Sequence, residues 1–173
     1  MNTASLEKYI SNIPDFPKTG VLFRDITPLL ADYEAFESAV KGLVEPFKNA
    51  GVTKVLGVES RGFLLAAPAA IELKAGLALV RKKGKLPRKT VSASYELEYG
   101  TDVLEMHADA LAKDEKVLIL DDVLATGGTC AAVVEMARGL GARIAGISFL
   151  IELKAFGGRK KLQGMDVRSL IKY

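Results

Sequence analysis

Two hydrophobic rhythms organise the chain. Phe36, Val40, Leu43, Val44 and Phe47 recur at helical spacing, which predicts an amphipathic helix over 34–49 that Pro46 kinks or ends and Gly51 stops. Continuous apolar runs at 52–59, 76–82, 117–121 and 142–153 read instead as strands, the pattern of strands buried on both faces. Segments 63–75 and 129–141 read as helices, the first carrying Pro68 and the second closed by Gly139 or Gly141. Residues 4–12 read as a short helix ended by Pro14, 16–30 as a loop punctuated by Pro17, Gly20 and Pro28, 157–163 as a short helix or turn, and 167–173 as an edge segment. Segment 90–106 alternates polar and apolar residues around Gly100, as two extended arms joined by a turn would. Alternating strands and helices predict an α/β fold with a mainly parallel central sheet flanked by helices. Residues 1–32 and 90–106 stand outside that alternation, and are expected to form a small hood and a flexible flap within a single domain spanning 1–173.

Composition narrows the class. With 173 residues, 49% hydrophobic, and a mean hydropathy of +0.19, the chain has enough apolar matter for one cored domain and too much for disorder. No apolar run approaches a membrane span and no signal peptide is visible in Met1–Ile10, so a soluble cytoplasmic protein is expected. One cysteine, Cys130, and one histidine, His107, argue against a disulfide framework and against zinc. The net charge of +3 gives no nucleic-acid signal. Its distribution is uneven, however: Arg81, Lys82, Lys83, Lys85, Arg88 and Lys89 crowd one segment, suited to an anionic small molecule or a subunit contact.

The sharpest chemistry lies in KVLILDDVLATGGTC, residues 116–130. An apolar strand ends on adjacent acids, Asp121 and Asp122, and a loop rich in glycine and threonine leads into a helix. Gly127 and Gly128 expose amide donors, Thr126 and Thr129 add hydroxyls, and the helix start adds its dipole, which together suit a phosphate. Carboxylates accept hydrogen bonds from vicinal hydroxyls, so the stretch points to a phosphorylated sugar. The plainer alternative is a tight turn capped by Thr129. The spacing is not that of a nucleoside-triphosphate loop, since no lysine precedes Thr129. VESRGF, 58–63, offers a second anion nest reinforced by Arg61, or a mere cap by Ser60.

These motifs resemble the type I phosphoribosyltransferase family. The family signature is matched by VLILDDVLATGGT (117–129), and the resemblance extends to DFPKTGVLFRDITPLL (15–30), VESRGF (58–63), RKKGKLP (81–87) and SYELEYGTDVLEMH (94–107), of which FPKTGVLFRDI and SYELEYG point to the adenine branch. The resemblance implies a type I phosphoribosyltransferase fold and transfer of a phosphoribosyl group from phosphoribosyl diphosphate (PRPP) to adenine, with Mg²⁺ held mainly by substrate and water. It implies ribose hydroxyls on Asp121 and Asp122, the 5-phosphate on Ala125, Thr126, Gly127, Gly128 and Thr129, and diphosphate on Glu59, Ser60, Arg61, Arg81, Lys82 and Lys85. Adenine would lie against Leu22, Phe23, Arg24 and Ile151, with Glu98, Tyr99 and Arg61 in catalytic roles. It also implies a homodimer that binds neither nucleic acid nor membrane. A 6-oxopurine substrate, or a non-catalytic PRPP sensor, remains as an alternative, although the segment before Phe16 is too short for a DNA-binding module.

Overall fold

The computed structural model describes residues 3–96 and 101–173. Its centre is a seven-stranded sheet in the order β5-β6-β4-β3-β7-β8-β9, built from β3 (Lys54–Val58), β4 (Gly76–Lys82), β5 (Thr90–Glu96), β6 (Thr101–His107), β7 (Lys116–Leu124), β8 (Arg143–Glu152) and β9 (Val167–Lys172). The strands β4, β3, β7, β8 and β9 run parallel, and β6 and β5 complete one edge antiparallel. Among the parallel strands, the chain enters in the middle, steps to one side through β4, then returns to the other through β7. The loops leaving β3 and β7 therefore diverge and open a crevice at their carboxyl ends, the place where open α/β sheets bind ligands.

Helices cover both faces, as the alternation predicts. Against one face lie α3 (Tyr33–Val44) and α4 (Arg61–Glu72), packed with Val55, Leu118, Leu120 and Leu150. Against the other lies α5 (Gly128–Gly139), whose Val133 and Ala137 meet Ile119, Ile147 and Phe149. Asp32 caps α3 by accepting from the Ala35 amide at 2.9 Å, and the helix ends just before Pro46, whose ring a longer α-helix would have to accommodate. Helix α4 runs through Pro68, held by the burial of Leu65, Ala66, Ala69 and Ala70.

The N-terminal segment departs from expectation. Only Thr3–Leu6 is α-helical (α1), followed by a 3₁₀ turn over Glu7–Tyr9. Residues Ser11–Pro14 form β1, which pairs antiparallel with β2 (Leu22–Asp25), so the helix does not run to 12 and 16–30 is not all loop. A short helix, α2 (Thr27–Ala31), follows. Between Pro14 and Leu22 the chain makes a tight excursion through Pro17, in which Gly20 takes a φ of +86° and its amide donates to Asp15 at 2.7 Å. Residues Thr90–Glu96 and Thr101–His107 form the expected antiparallel arms, but they are fastened to the sheet through Arg81↔Glu105 and Lys82↔Leu104.

Strand β8 carries an irregularity. Val117 faces Ile144 while Leu118 faces Gly146, leaving Ala145 as the extra residue of a bulge. A β-carbon at Gly146 would overlap the buried Phe47 ring. Gly146→Ala is accordingly expected to destabilise the fold by about 1–3 kcal/mol through overpacking, read as a lowered midpoint in thermal or denaturant unfolding. An unchanged midpoint would mean that Phe47 shifts freely.

Candidate active site

The sheet register brings three motifs to one rim. Gly57 pairs with Leu120 and with Leu79, so β3, β4 and β7 end side by side. Beyond β3, the Glu59–Ser60 peptide is cis and α4 begins at once at Arg61, two residues earlier than its apolar pattern indicates. Gly62 lets this helix start cross directly over β7, because a β-carbon there would sit 2.7 Å from Asp121 Oδ1 and 3.2 Å from the Leu120 carbonyl oxygen. Ser60 makes no side-chain cap, nor does Thr129 serve as the cap of α5: that position is Gly127, at φ +77°.

Arg61 is the hub. Its Nε lies 2.7 Å from Asp122 Oδ2, and its guanidinium carbon lies 4.9 Å from the centre of the Phe23 ring. The Phe16 ring meets Phe23 edge-on at 5.1 Å. One side chain thus joins β2, the β3–α4 turn and the end of β7. Among the described residues, Arg61 Nη1 and Asp122 Oδ2 are buried without hydrogen-bond partners, the ion pair being close but not aligned as a hydrogen bond.

Burial is the largest influence on the paired acids, and it drives both above the usual carboxylate range. For Asp121 the charge of Asp122 adds to the rise, whereas for Asp122 the Arg61 guanidinium opposes it. Asp121 also accepts from the Asp122 amide at 2.8 Å. It lines a cleft of about 70 Å³ with Val123, Leu124, Ala125, Thr126, Gly127 and Thr129. Asp121 and the loop from Ala125 to Gly127 therefore share one small polar hollow at the start of α5, while Asp122 is turned to Arg61. Cys130 beside it is buried, which pushes its thiol well above the ordinary range and leaves it a packing residue.

The basic segment is more committed than its charge suggests. Arg81 is bound to Glu59, Nε to Oε2 at 3.2 Å, and donates to the Lys85 carbonyl at 3.0 Å. The Lys82 amide donates to Glu59 at 2.8 Å, while Lys82 Nζ lies 3.4 Å from Asp102. Burial works against ionisation of Glu59, but the Lys82 amide and Arg81 outweigh it and hold the carboxyl below its usual range. Glu59 and Arg81 thus fasten the β3 and β4 turns to each other.

Strand β2 presents opposite sides to its surroundings. Phe23 faces Arg61, while Leu22 and Arg24 line a cleft of about 590 Å³ with Leu153, Phe156 and Tyr173. Arg24 stacks on the Tyr173 ring at 3.7 Å and bonds Asn12 instead of pairing with Asp25, which accepts from the Thr27 amide and hydroxyl. Ile151 is a correction: it is fully buried in the α3–α4 core and has no surface to offer a base. Leu153, just past the end of β8, is the residue of that segment that reaches a cleft beside β2. Tyr95, which the sequence did not single out, sits over the α5 start, donating to Asp102 at 3.2 Å with the Thr129 side chain also in reach. Glu98 and Tyr99 lie outside the described residues.

With this geometry in view, residues 29–170 match the family described as the phosphoribosyl transferase domain. The chain is 55% identical over 170 residues to an adenine phosphoribosyltransferase of Shewanella amazonensis, covering 96% of this chain and 94% of that one. It is 52% identical to one of Desulfitobacterium hafniense over the full length of both. Among solved structures, an adenine phosphoribosyltransferase of Thermoanaerobacter pseudethanolicus superposes with a TM-score of 0.96 at 46% identity, over 99% of this chain and 100% of that one. The Saccharomyces cerevisiae enzyme, solved with an iminoaltritol bisphosphate and adenine, gives 0.92 at 35% identity, over 97% of each.

A raised carboxylate pKa makes a defined demand on stability. An acid that holds its proton more tightly folded than unfolded costs nothing below the usual carboxylate range, and costs most once pH has passed its folded pKa. Asp121→Asn is therefore expected to unfold at a higher temperature than the parent near pH 8, with the gap narrowing as pH falls toward the ordinary carboxylate range. Calorimetry across pH reads this, and a variant less stable than the parent at pH 8 would contradict the burial argument.

Proposed function

The chain belongs to the phosphoribosyl transferase family, and we propose that the crevice between β3 and β7 is the place where it carries out its reaction. That reaction is the transfer of the 5-phosphoribosyl group from PRPP to adenine, giving AMP and diphosphate, a step of purine salvage. The observation that carries the assignment of the site is Arg61, which bridges Asp122 and Phe23 across the crevice.

Each group has a physical task. The Ala125–Gly127 loop and the first turn of α5 offer amides and threonine hydroxyls to the 5-phosphate. Asp121 and Asp122 accept from the ribose hydroxyls, which replaces lost water with aligned donors and favours the charged acids. Ser60, Arg61, Lys82 and Lys85 face the departing diphosphate, and the unpartnered Arg61 Nη1 is a donor waiting for such an anion. Glu59 and Arg81 set the shape of that turn. Phe23 supplies an apolar face for the purine, and the backbone of Leu22 and Arg24 reads its edge. The hairpin of β5 and β6, with Tyr95 over α5, is the base of a flap whose Glu98 and Tyr99 manage the adenine proton and exclude water. The ribosyl carbon passes through an oxocarbenium-like state while the base nitrogen and diphosphate lie in line.

The donors fit Mg²⁺. Every acceptor on this rim is an oxygen, and Asp122 Oδ2 lacks a hydrogen-bond partner, a donor set that suits a hard cation. Asp121 and Asp122 are the carboxylates that would stand nearest such an ion, most of whose ligands would come from substrate and water. When bound with PRPP it neutralises charge on the leaving diphosphate.

The assembly in this reading is a cytoplasmic homodimer. No helix among the described residues is long and apolar enough to cross a membrane. Leu64 and Ile71 on α4 and Leu77 and Leu79 on β4 are exposed, Ile71 to 79%, and Leu77 shares the sheet face of Phe63 and Ala66. Such an apolar surface suits a second copy of the chain.

Incubated with PRPP, Mg²⁺ and each of adenine, hypoxanthine, guanine and xanthine, the protein is expected to form AMP and little of the other nucleotides, as read by chromatography. Preferential use of a 6-oxopurine would overturn the substrate assignment. Glu98→Gln is expected to lower kcat by about 10²–10⁴-fold, the usual contribution of a positioned acid or base, with PRPP affinity nearly unchanged. Normal turnover would remove Glu98 from proton transfer.

A further inference from the structure

Behind the phosphate loop lies a second piece of machinery. After β8 the chain makes a 3₁₀ turn over Lys154–Phe156 and another over Gly158–Leu162. The second turn presses its backbone against the loop. A β-carbon on Gly158 would overlap the Ala125 carbonyl oxygen, and one on Gly127 would overlap the Gly158 carbonyl oxygen. Gly158 is buried, and the turn does not line the polar hollow that Asp121, Thr126 and Thr129 share. It therefore backs the loop from the side away from the ligand.

A partly buried ionic knot, with Glu152 inside and Arg159 reaching in from the surface, fixes this turn. Arg159 Nε donates to Glu152 Oε1 at 2.7 Å and Nη2 to Oε2 at 2.8 Å, a bidentate pair. The same guanidinium donates to the Val167 carbonyl at 2.9 Å and to Ser169 Oγ at 3.0 Å, and the Ser169 hydroxyl donates to Glu152. Glu152 is almost fully buried, and the Arg159 guanidinium is the leading cause of a carboxyl held below its usual range. Its backbone stands opposite Leu124, the residue before the loop, and the next amide, of Leu153, donates to the Leu124 carbonyl at 2.9 Å. The knot thus joins β7, β8, β9 and the backing turn at one point.

We propose that Arg159, through Glu152 and Ser169, is a positioning residue for phosphoribosyl binding: it sets the backing turn whose Gly158 backbone fixes the conformation of the Ala125–Gly127 loop. The reasoning is geometric. A cradle of amides discriminates by direction, and a misplacement of the order of 1 Å in a positioned group costs up to about a hundredfold. The Gly127 and Gly158 backbones touch with no side chain between them, so displacement of the turn is transmitted directly to the loop. Loss of the knot acts on the 5-phosphate end of PRPP and leaves the base pocket at Phe23 alone. The inference rests on the loop being the 5-phosphate holder.

The test compares Arg159→Met, Arg159→Lys, Ser169→Ala and, in the loop itself, Thr129→Val. Steady-state kinetics gives kcat and both KM values, and calorimetry gives the Kd for ribose 5-phosphate. Arg159→Met is expected to raise the KM for PRPP and the Kd for ribose 5-phosphate by about tenfold, with the KM for adenine within about twofold of the parent. Arg159→Lys, which keeps the charge but not the fork, recovers part of the loss. Ser169→Ala gives a smaller rise of the same kind, and keeps the question open to measurement if Arg159→Met does not fold. Unchanged PRPP KM in folded Arg159→Met and Ser169→Ala, or equal losses for both substrates, would overturn the proposal. Should Thr129→Val raise the PRPP KM while the knot variants do not, the loop reading stands and the positioning role falls. Should Thr129→Val have no effect either, the loop reading itself fails.

Discussion

Two carboxylates side by side at a poorly solvated strand end are an unfavourable arrangement, and one guanidinium makes it tolerable. Burial raises the cost of charging both Asp121 and Asp122, the charge of Asp122 adds to it at Asp121, and Arg61 offsets part of it at Asp122. Much of the rim is arranged to keep Arg61 in that place. The helix α4 begins on it, Gly62 lets that helix start cross β7, and Phe23 covers its other side. A fold optimised for stability alone would have no reason to retain this cluster. Its retention makes sense where a ligand brings hydroxyls to the acids and an anion to the arginine.

The scaffold supplies direction more than chemistry. Because the chain turns opposite ways after β3 and β7, two helix starts open onto one crevice. Strand β6 is anchored at Arg81 and Lys82, the same residues that hold Glu59, so the β5–β6 pair and the β3 turn share one anchor. At the far side of the crevice the Glu152–Arg159 pair holds the turn that packs behind the Ala125–Gly127 loop. Internal ion pairs shape both flanks of the site, and Arg61 stands between them with one donor unspent.

Much of this was legible in the sequence, for identifiable reasons. The parallel strands announce themselves as unbroken apolar runs, and Asp121 to Thr129 form a contiguous motif whose chemistry is local. The pairing of β1 with β2 was hidden because Pro14, Pro17 and Gly20 read as punctuation, while the antiparallel contact depends on their turn. Ile151 was misassigned because a strand's apolar run does not say where its last buried side chain gives way to the first one beyond the strand, which is Leu153. The contact of Gly127 with Gly158 leaves no periodic trace, since it joins backbones far apart in the chain. That Arg81 pairs with Glu59 could not be read from the sequence either, which shows its charge and not the acid 22 residues earlier that holds it.

The most direct test of the central claim is a crystal structure of the protein with PRPP, Mg²⁺ and an unreactive adenine analogue. The account requires the 5-phosphate on the Ala125–Thr129 loop, the ribose over Asp121 and Asp122, diphosphate at Arg61 and the purine against Phe23. Density for the ligands anywhere other than the crevice between β3 and β7, with Arg61 still bound only to Asp122, would contradict it.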